Sequence, residues 1–308
     1  MSNQGIQPQQ TQLQDFIEQE VQKVRGKYVP VKAGLLRRAL IRKMRIKKMH
    51  PNPDDEFCDP KIGPALGIVN KYVREFSRLE DNPSAALNKD ITVNEPIQVQ
   101  RIRPSGYMIL NGHHRWLAAH QTGVTMLKVR IVDLTQESDI RRTLQASHHD
   151  RRVTMDLDEV VFRPEGKDGY EKKPKLLGGR IFKEQIRMGF PTLCQFLSRR
   201  GYDVWVYTSN YYSQDYLSRL FRLYRCPVTG VITGLSRKGP DGAKAKKYME
   251  QMFEEKYQTT LHVDNENVLQ SFTKSQEFKD IPLNLADEIW SAAVSDAVQK
   301  LDTEMTRK

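Results

Sequence analysis

Cysteine is scarce in this sequence and does not cluster. Cys58, Cys194 and Cys226 are the only three, they lie far apart, and no Cys-x-x-Cys occurs. Neither a disulfide framework nor a zinc site is therefore indicated, and a reducing cytoplasmic home is the simplest expectation. Long apolar runs are also missing. No stretch approaches the roughly 18 apolar residues of a membrane span, so no membrane partner is expected. The opening MSNQGIQPQQTQ is polar and Gln-rich. It lacks the apolar core of a signal peptide and is expected to be flexible. Acid is absent from one long stretch: residues 21–50 contain no Asp or Glu.

What fills that stretch is positive charge. Lys23, Arg25, Lys27, Lys32, Arg37, Arg38, Arg42, Lys43, Arg45, Lys47 and Lys48 lie within it. The 308-residue chain has 49 basic and 38 acidic side chains, a net charge of +11. These eleven residues therefore equal the whole excess. Two readings stay open: a nucleic-acid or phosphate-rich surface, or a solvated helix face whose charges pair with acids elsewhere. The stretch lacks the interleaved aromatics of a single-strand binder.

The length suits two domains of ordinary size. Apolar periodicity predicts helices over 13–26, 34–45 and 62–80. Strands are predicted over 97–102 and 107–110 around a Pro-Ser-Gly turn, then a helix after Asn111 and a strand over 126–134. From 151 onward strands alternate with helices. Strands are predicted at 153–162, 203–210, 228–233 and 260–267, with helices at 190–201, 213–224 and 241–257. That alternation predicts an α/β fold with a parallel sheet. The expected divisions are a flexible N-terminus and basic helical arm over 1–43, a first domain over 44–140, a second over 151–285 and a C-terminal helix over 286–308.

The strongest chemical signal is Asp156-Leu157-Asp158, at the end of an apolar strand. Carboxylates two residues apart on an extended segment point to the same side and repel. A divalent cation relieves that repulsion and leaves one carboxylate able to act as a nucleophile. A second apolar strand ends in Thr208-Ser209, hydroxyls suited to a phosphate oxygen. A third ends in Asp264-Asn265, oxygen donors suited to Mg2+. Lys238, with Lys244 as the alternate, can neutralise phosphoryl charge.

Over about 153–272 these motifs resemble the haloacid dehalogenase superfamily, in particular its small-cap phosphatases. DLDEVV at 156–161, VYTSN at 206–210 and VDNENVLQSF at 263–272 carry the resemblance. It implies a Rossmannoid sheet and chemistry through an aspartyl-phosphate. Asp156 would be the nucleophile, and Asp158 the general acid and base. Thr208 and Ser209 would bind phosphate with Lys238. Mg2+ would be held by Asp156, Asp158, Asp264 and Asn265.

In the first half, Asn111-Gly112-His113-His114-Arg115 lies between a strand and a helix. Glycine lets backbone approach a ligand, and the helix start offers free N–H groups to an anion. Arg115 brings a planar fork, and the histidines can donate to phosphate oxygens. A polyphosphate is thus the expected ligand. Metal ligation by His113, His114 and His120, or histidines that only cap and pack, are the competing readings. Over about 44–134 the residues resemble the ParB/sulfiredoxin superfamily, through RIKKMHPNPDDEF, EPIQVQRI and YMILNGHHRWLAAHQTG. The resemblance implies an α+β nucleotide-binding domain, and the Gly-His-His-Arg form looks most like its free-serine kinases. ATP or ADP would be the nucleotide, with CTP as in the partition proteins. Glu56 would serve as base, because Asn111 stands where the kinases have Asp and cannot take a proton.

Together these readings predict a Mg2+-dependent phosphotransferase acting on a small-molecule or nucleotide substrate. The alternative is a nucleotide-switched DNA- or RNA-associated factor, with nucleic acid held by the 21–50 stretch.

Overall fold

The computed structural model describes residues 7–82, 84, 91–163, 169–174, 182–234, 240–275, 277–285 and 288–306. The fold is mixed α/β, with two sheets in two compact units. The first unit contains the chain through Asp133, and the second contains Leu134–Ser236 and Lys246–Lys308. No helix among the described residues is long and apolar enough to cross a membrane.

The first unit is built on strands β2 (Arg42–Arg45), β3 (Met49–His50), β4 (Ile97–Arg103), β5 (Tyr107–Asn111) and β6 (Met126–Ile131), in the order β2-β6-β4-β5-β3. A two-residue strand, β1 (Val29–Pro30), pairs with β4. The hairpin predicted around 104–106 is present as β4 and β5. One face of the sheet, with Ile97, Val99, Ile109, Leu127, Val129 and Ile131, meets the helices Leu66–Asp81 and His113–Gln121 in the core.

Two expectations fail here. The first helix begins at Gln7, inside the stretch expected to be flexible, and it buries Ile17 and Val21 in the core. Burial of that apolar stripe overrides the polar composition around it. The helix expected over 34–45 is cut to Leu35–Ala39, and Arg42–Arg45 is a strand. Pairing with β6 decides this, since Met44 lies opposite Leu127 and packs on the core.

The second unit is a sheet in the order β12-β11-β10-β7-β8-β9. Its strands are β7 (Arg151–Asp156), β8 (Tyr202–Thr208), β9 (Gly230–Thr233), β10 (Thr259–Val263), β11 (Asn267–Phe272) and β12 (Phe278–Pro282). The four strands β10, β7, β8 and β9 are parallel, as predicted. The antiparallel pair β11 and β12 is an addition, with its partners at high register regularity. The chain lays β8 and β9 on one side of β7, then returns to place β10 on the other. That reversal makes the carboxyl ends of β7 and β10 a topological switch point, the place where open α/β sheets bind ligands.

Helices Phe190–Arg199, Gln214–Leu223 and Trp290–Thr306 contribute Leu193, Leu217, Leu220 and Val294 to a core with Val153, Val204 and Leu261. Gly230 is needed on β9 because a Cβ there would lie 2.2 Å from the ring of buried Trp205.

Candidate functional site

The first strand-end motif lies at the switch point of the second unit. β7 stops at Asp156, shorter than the strand expected over 153–162, and the chain coils into a π-helical turn, Leu157–Val161. Asp156 caps that turn. Its Oδ1 accepts from the backbone N–H of Asp158 at 2.7 Å and of Glu159 at 2.8 Å. Two backbone donors fix one oxygen of the carboxylate at the carboxyl end of β7.

Register brings the second carboxylate alongside. Met155 of β7 is paired with Val263 of β10, so Asp156 and Asp264 leave neighbouring strands at the same level. Asp264 Oδ1 accepts from the N–H of Asn265 at 2.7 Å.

Thr208 ends β8 one strand over. Its hydroxyl is fully buried. It donates to Asp158 Oδ2 at 2.5 Å and accepts from the N–H of Asn210 at 3.0 Å. The Thr208 hydroxyl is thus engaged by Asp158 and the Asn210 backbone. Ser209 is exposed at the same strand exit. Lys238 lies outside the described residues, and Lys244 belongs to the helix Pro240–Lys256.

Asn265 is the clearest correction. Its Oδ1 accepts from the guanidinium of Arg187 at 2.6 Å, and its Nδ2 donates to the carbonyl of Glu159 at 3.2 Å. An oxygen turned to a guanidinium cation is poorly placed to hold a second cation. Asn265 instead ties the β10 exit to the turn after Asp156.

Sequence reasoning missed Arg187. It is 1% exposed, its Cζ sits 4.3 Å over the ring of Trp290, and its N–H donates to the carbonyl of Val161. Trp290 Nε1 in turn donates to the carbonyl of Asp264 at 2.8 Å. A lone Arg in a polar loop carries no pattern that would have marked it.

The remaining donors are all oxygens, the carboxylates of Asp156 and Asp264 at neighbouring strand ends. This set fits Mg2+, which is commonly held by one or two carboxylates and completed by water and phosphate oxygens. Among the described residues no group of three or more His, Cys, Asp or Glu is arranged as a self-sufficient metal site.

In the first unit, Gly112 starts the helix His113–Gln121 with φ +106° and no side-chain cap. A Cβ there would lie 2.3 Å from Ile97 Cγ2, so the position demands glycine twice over. The histidines that follow do not present donors to a ligand through Nε2. His113, buried, accepts the N–H of Asn52 at 3.1 Å, and His114 accepts the N–H of Ala65 at 3.0 Å. Phe57 lies between them, 5.2 Å from each ring.

Burial lowers the His113 pKa to about 4, against the raising effect of Asp55, whose Oδ2 is 3.7 Å from Nδ1. The desolvation cost exceeds that attraction, so His113 is neutral at pH 7 and the close approach is not an ion pair. Burial lowers the His114 pKa as well.

Arg115 is buried too. It donates to the carbonyl of Glu95 at 2.7 Å and lies over the ring of Tyr72. His120 packs edge-on against Trp116 and Phe16, which removes it from any shared metal. Glu56 is exposed on a short 3-10 turn beside Asp55, whose side chain caps that turn through the N–H of Phe57. Asn111 is exposed at the end of β5. The turn thus packs its histidines and arginine inward and leaves backbone N–H groups at the helix start. No curated protein matches the chain. Among known families, residues 85–148, which include β4, β5, the Gly112 turn and β6, match the ParB N-terminal domain.

Proposed function

We propose that the second unit is a Mg2+-dependent phosphotransferase working through an aspartyl-phosphate. The observation that carries this reading is the reversal of strand order between β7 and β10, which sets Asp156 and Asp264 at neighbouring strand ends. Bound Mg2+, held by Asp156, Asp264 and the carbonyl of Asp158, would neutralise phosphoryl oxygens.

Asp156 has one oxygen fixed by two N–H donors, so Oδ2 attacks phosphorus. The Oδ2–P bond forms as the bond from phosphorus to the leaving oxygen breaks. Asp158 gives its proton to that oxygen. Water then attacks the aspartyl-phosphate, Asp158 takes a proton from the water, and phosphate departs. Thr208 holds Asp158 in one orientation through both steps.

In the first unit the side chains of the Gly112 turn are engaged by the protein itself. His113 and His114 hold backbone amides, Arg115 holds a backbone carbonyl, and Asn111 is not a base. Nucleotide binding there would rest on the backbone at the helix start.

The test is Mg2+-dependent phosphate release from p-nitrophenyl phosphate, with D156N and D158N beside wild type. D156N should lose turnover and fail to form an acid-stable phosphoprotein. D158N should keep some phosphoprotein but turn over slowly. Undiminished turnover in D156N would end this reading.

A further inference from the structure

The first unit exposes part of one face of its sheet, and that part is cationic. β6 alternates cleanly: Leu127, Val129 and Ile131 are buried, while Met126, Lys128 and Arg130 are exposed. β2 is the edge strand beside it. In the antiparallel register Lys43 lies opposite Lys128 and Arg45 opposite Met126. Directly opposed residues share a face, so Lys43, Arg45, Lys128 and Arg130 all project outward together. Lys47 and Lys48 follow on the exposed 3-10 turn after β2.

None of these six side chains has an ion-pair partner among the described residues. The basic stretch does make ion pairs where it turns inward or directly follows the first helix: Arg38 reaches Asp133 at 3.2 Å, and Lys23 pairs with Glu20. The outward residues therefore do not behave as a solvated face balanced by acids. Lysines directly opposed across two strands repel and destabilise the sheet. A polyanion laid on the face would relieve that repulsion.

We propose that this face docks the phosphodiester backbone of a nucleic-acid duplex. The cations are held on two paired strands, and residues two apart along a strand recur at about 6.8 Å. They form a fixed array rather than a mobile tail. The outward positions of β2 and β6 hold no aromatic ring, so the stacking platform that single strands use is missing. Phosphate contacts of this kind confer affinity without sequence choice. Half of the array, Lys128 and Arg130, lies far in sequence from the basic stretch and joins it only through the β2–β6 register.

The test uses the full chain and a fluorescent DNA duplex of about two helical turns, followed by anisotropy across a salt series. The wild type should bind at low salt with log Kd linear in log salt and a slope near three to four, one phosphate per engaged cation. K43E/K128E should weaken binding about tenfold or more and lower the slope by about two. K128E alone places opposite charges across the strand pair, so its Tm should equal or exceed that of wild type. Loss of binding in that variant therefore cannot be unfolding. D156N should bind like wild type, which separates this surface from the chemistry of the second unit. No binding at low salt would overturn the proposal. So would an unchanged slope in K43E/K128E, or equal binding to single-stranded DNA or to anionic vesicles.

Discussion

The guanidinium of Arg187 and the amide oxygen of Asn265 lie 2.6 Å apart, and that bond ties the segment before helix Phe190–Arg199 to the β10 exit that carries Asp264. With one side of the Asn265 amide turned to Arg187, the other side meets the Glu159 carbonyl. The orientation of the whole amide is thereby set.

R187M keeps the length of the side chain and removes the charge. It leaves the Asn265 oxygen unpaired, a loss of roughly 1–3 kcal/mol, readable by urea unfolding. The concentration of Mg2+ needed for half-maximal turnover should rise as well, with R187K intermediate. A stability loss in R187M with unchanged Mg2+ dependence would reduce Arg187 to a packing residue.

T208V should act on the acid–base step rather than on substrate affinity. The Thr208 hydroxyl donates to the Asp158 carboxylate at 2.5 Å. Without that bond the Asp158 carboxyl can turn away from the reacting oxygen. kcat should fall roughly tenfold or more while KM stays near wild type. A raised KM with an unchanged kcat would instead return Thr208 to a phosphate-binding role.

His113 makes stability depend on pH. Its folded pKa is lowered to about 4 by burial, below the roughly 6.5 of an unfolded histidine. Between those values the unfolded chain binds more protons, so stability rises with pH there. Its contribution is fully present above about 6.5 and is lost as pH falls toward 4. Urea unfolding at a series of pH values from 7.5 to 5 should show that loss in wild type and a flatter profile in H113N. Parallel profiles in both proteins would rule His113 out as the source.

G112A tests the turn itself. The new methyl group would need φ +106° and would sit 2.3 Å from Ile97. Backbone strain of about 1–3 kcal/mol and a similar overpacking term should lower Tm markedly. Wild-type stability in G112A would mean that the turn has another conformation available.

Much of this protein can be read from its residues alone. Alternating apolar strands and helices predicted the α/β class and the parallel core of β7, β8, β9 and β10, because those periods are local properties of the chain. The β4–β5 hairpin was legible from Pro104, Ser105 and Gly106 for the same reason. Asp156, Asp158 and Asp264 stood out because they interrupt apolar runs at strand ends.

What each polar side chain does was decided only by tertiary structure. His113 and His114 look like phosphate donors until the 50–65 loop brings two backbone N–H groups to their Nε2 atoms. Asn265 looks like a metal ligand until Arg187, 78 residues earlier, occupies its oxygen. Arg42–Arg45 reads as helix until β6 supplies a partner strand and turns its charges outward beside Lys128 and Arg130. Sequence sets period, charge and reactive groups. Which atoms meet depends on contacts between segments distant in the chain, and a hydrogen-bonding group is defined by the partner it meets.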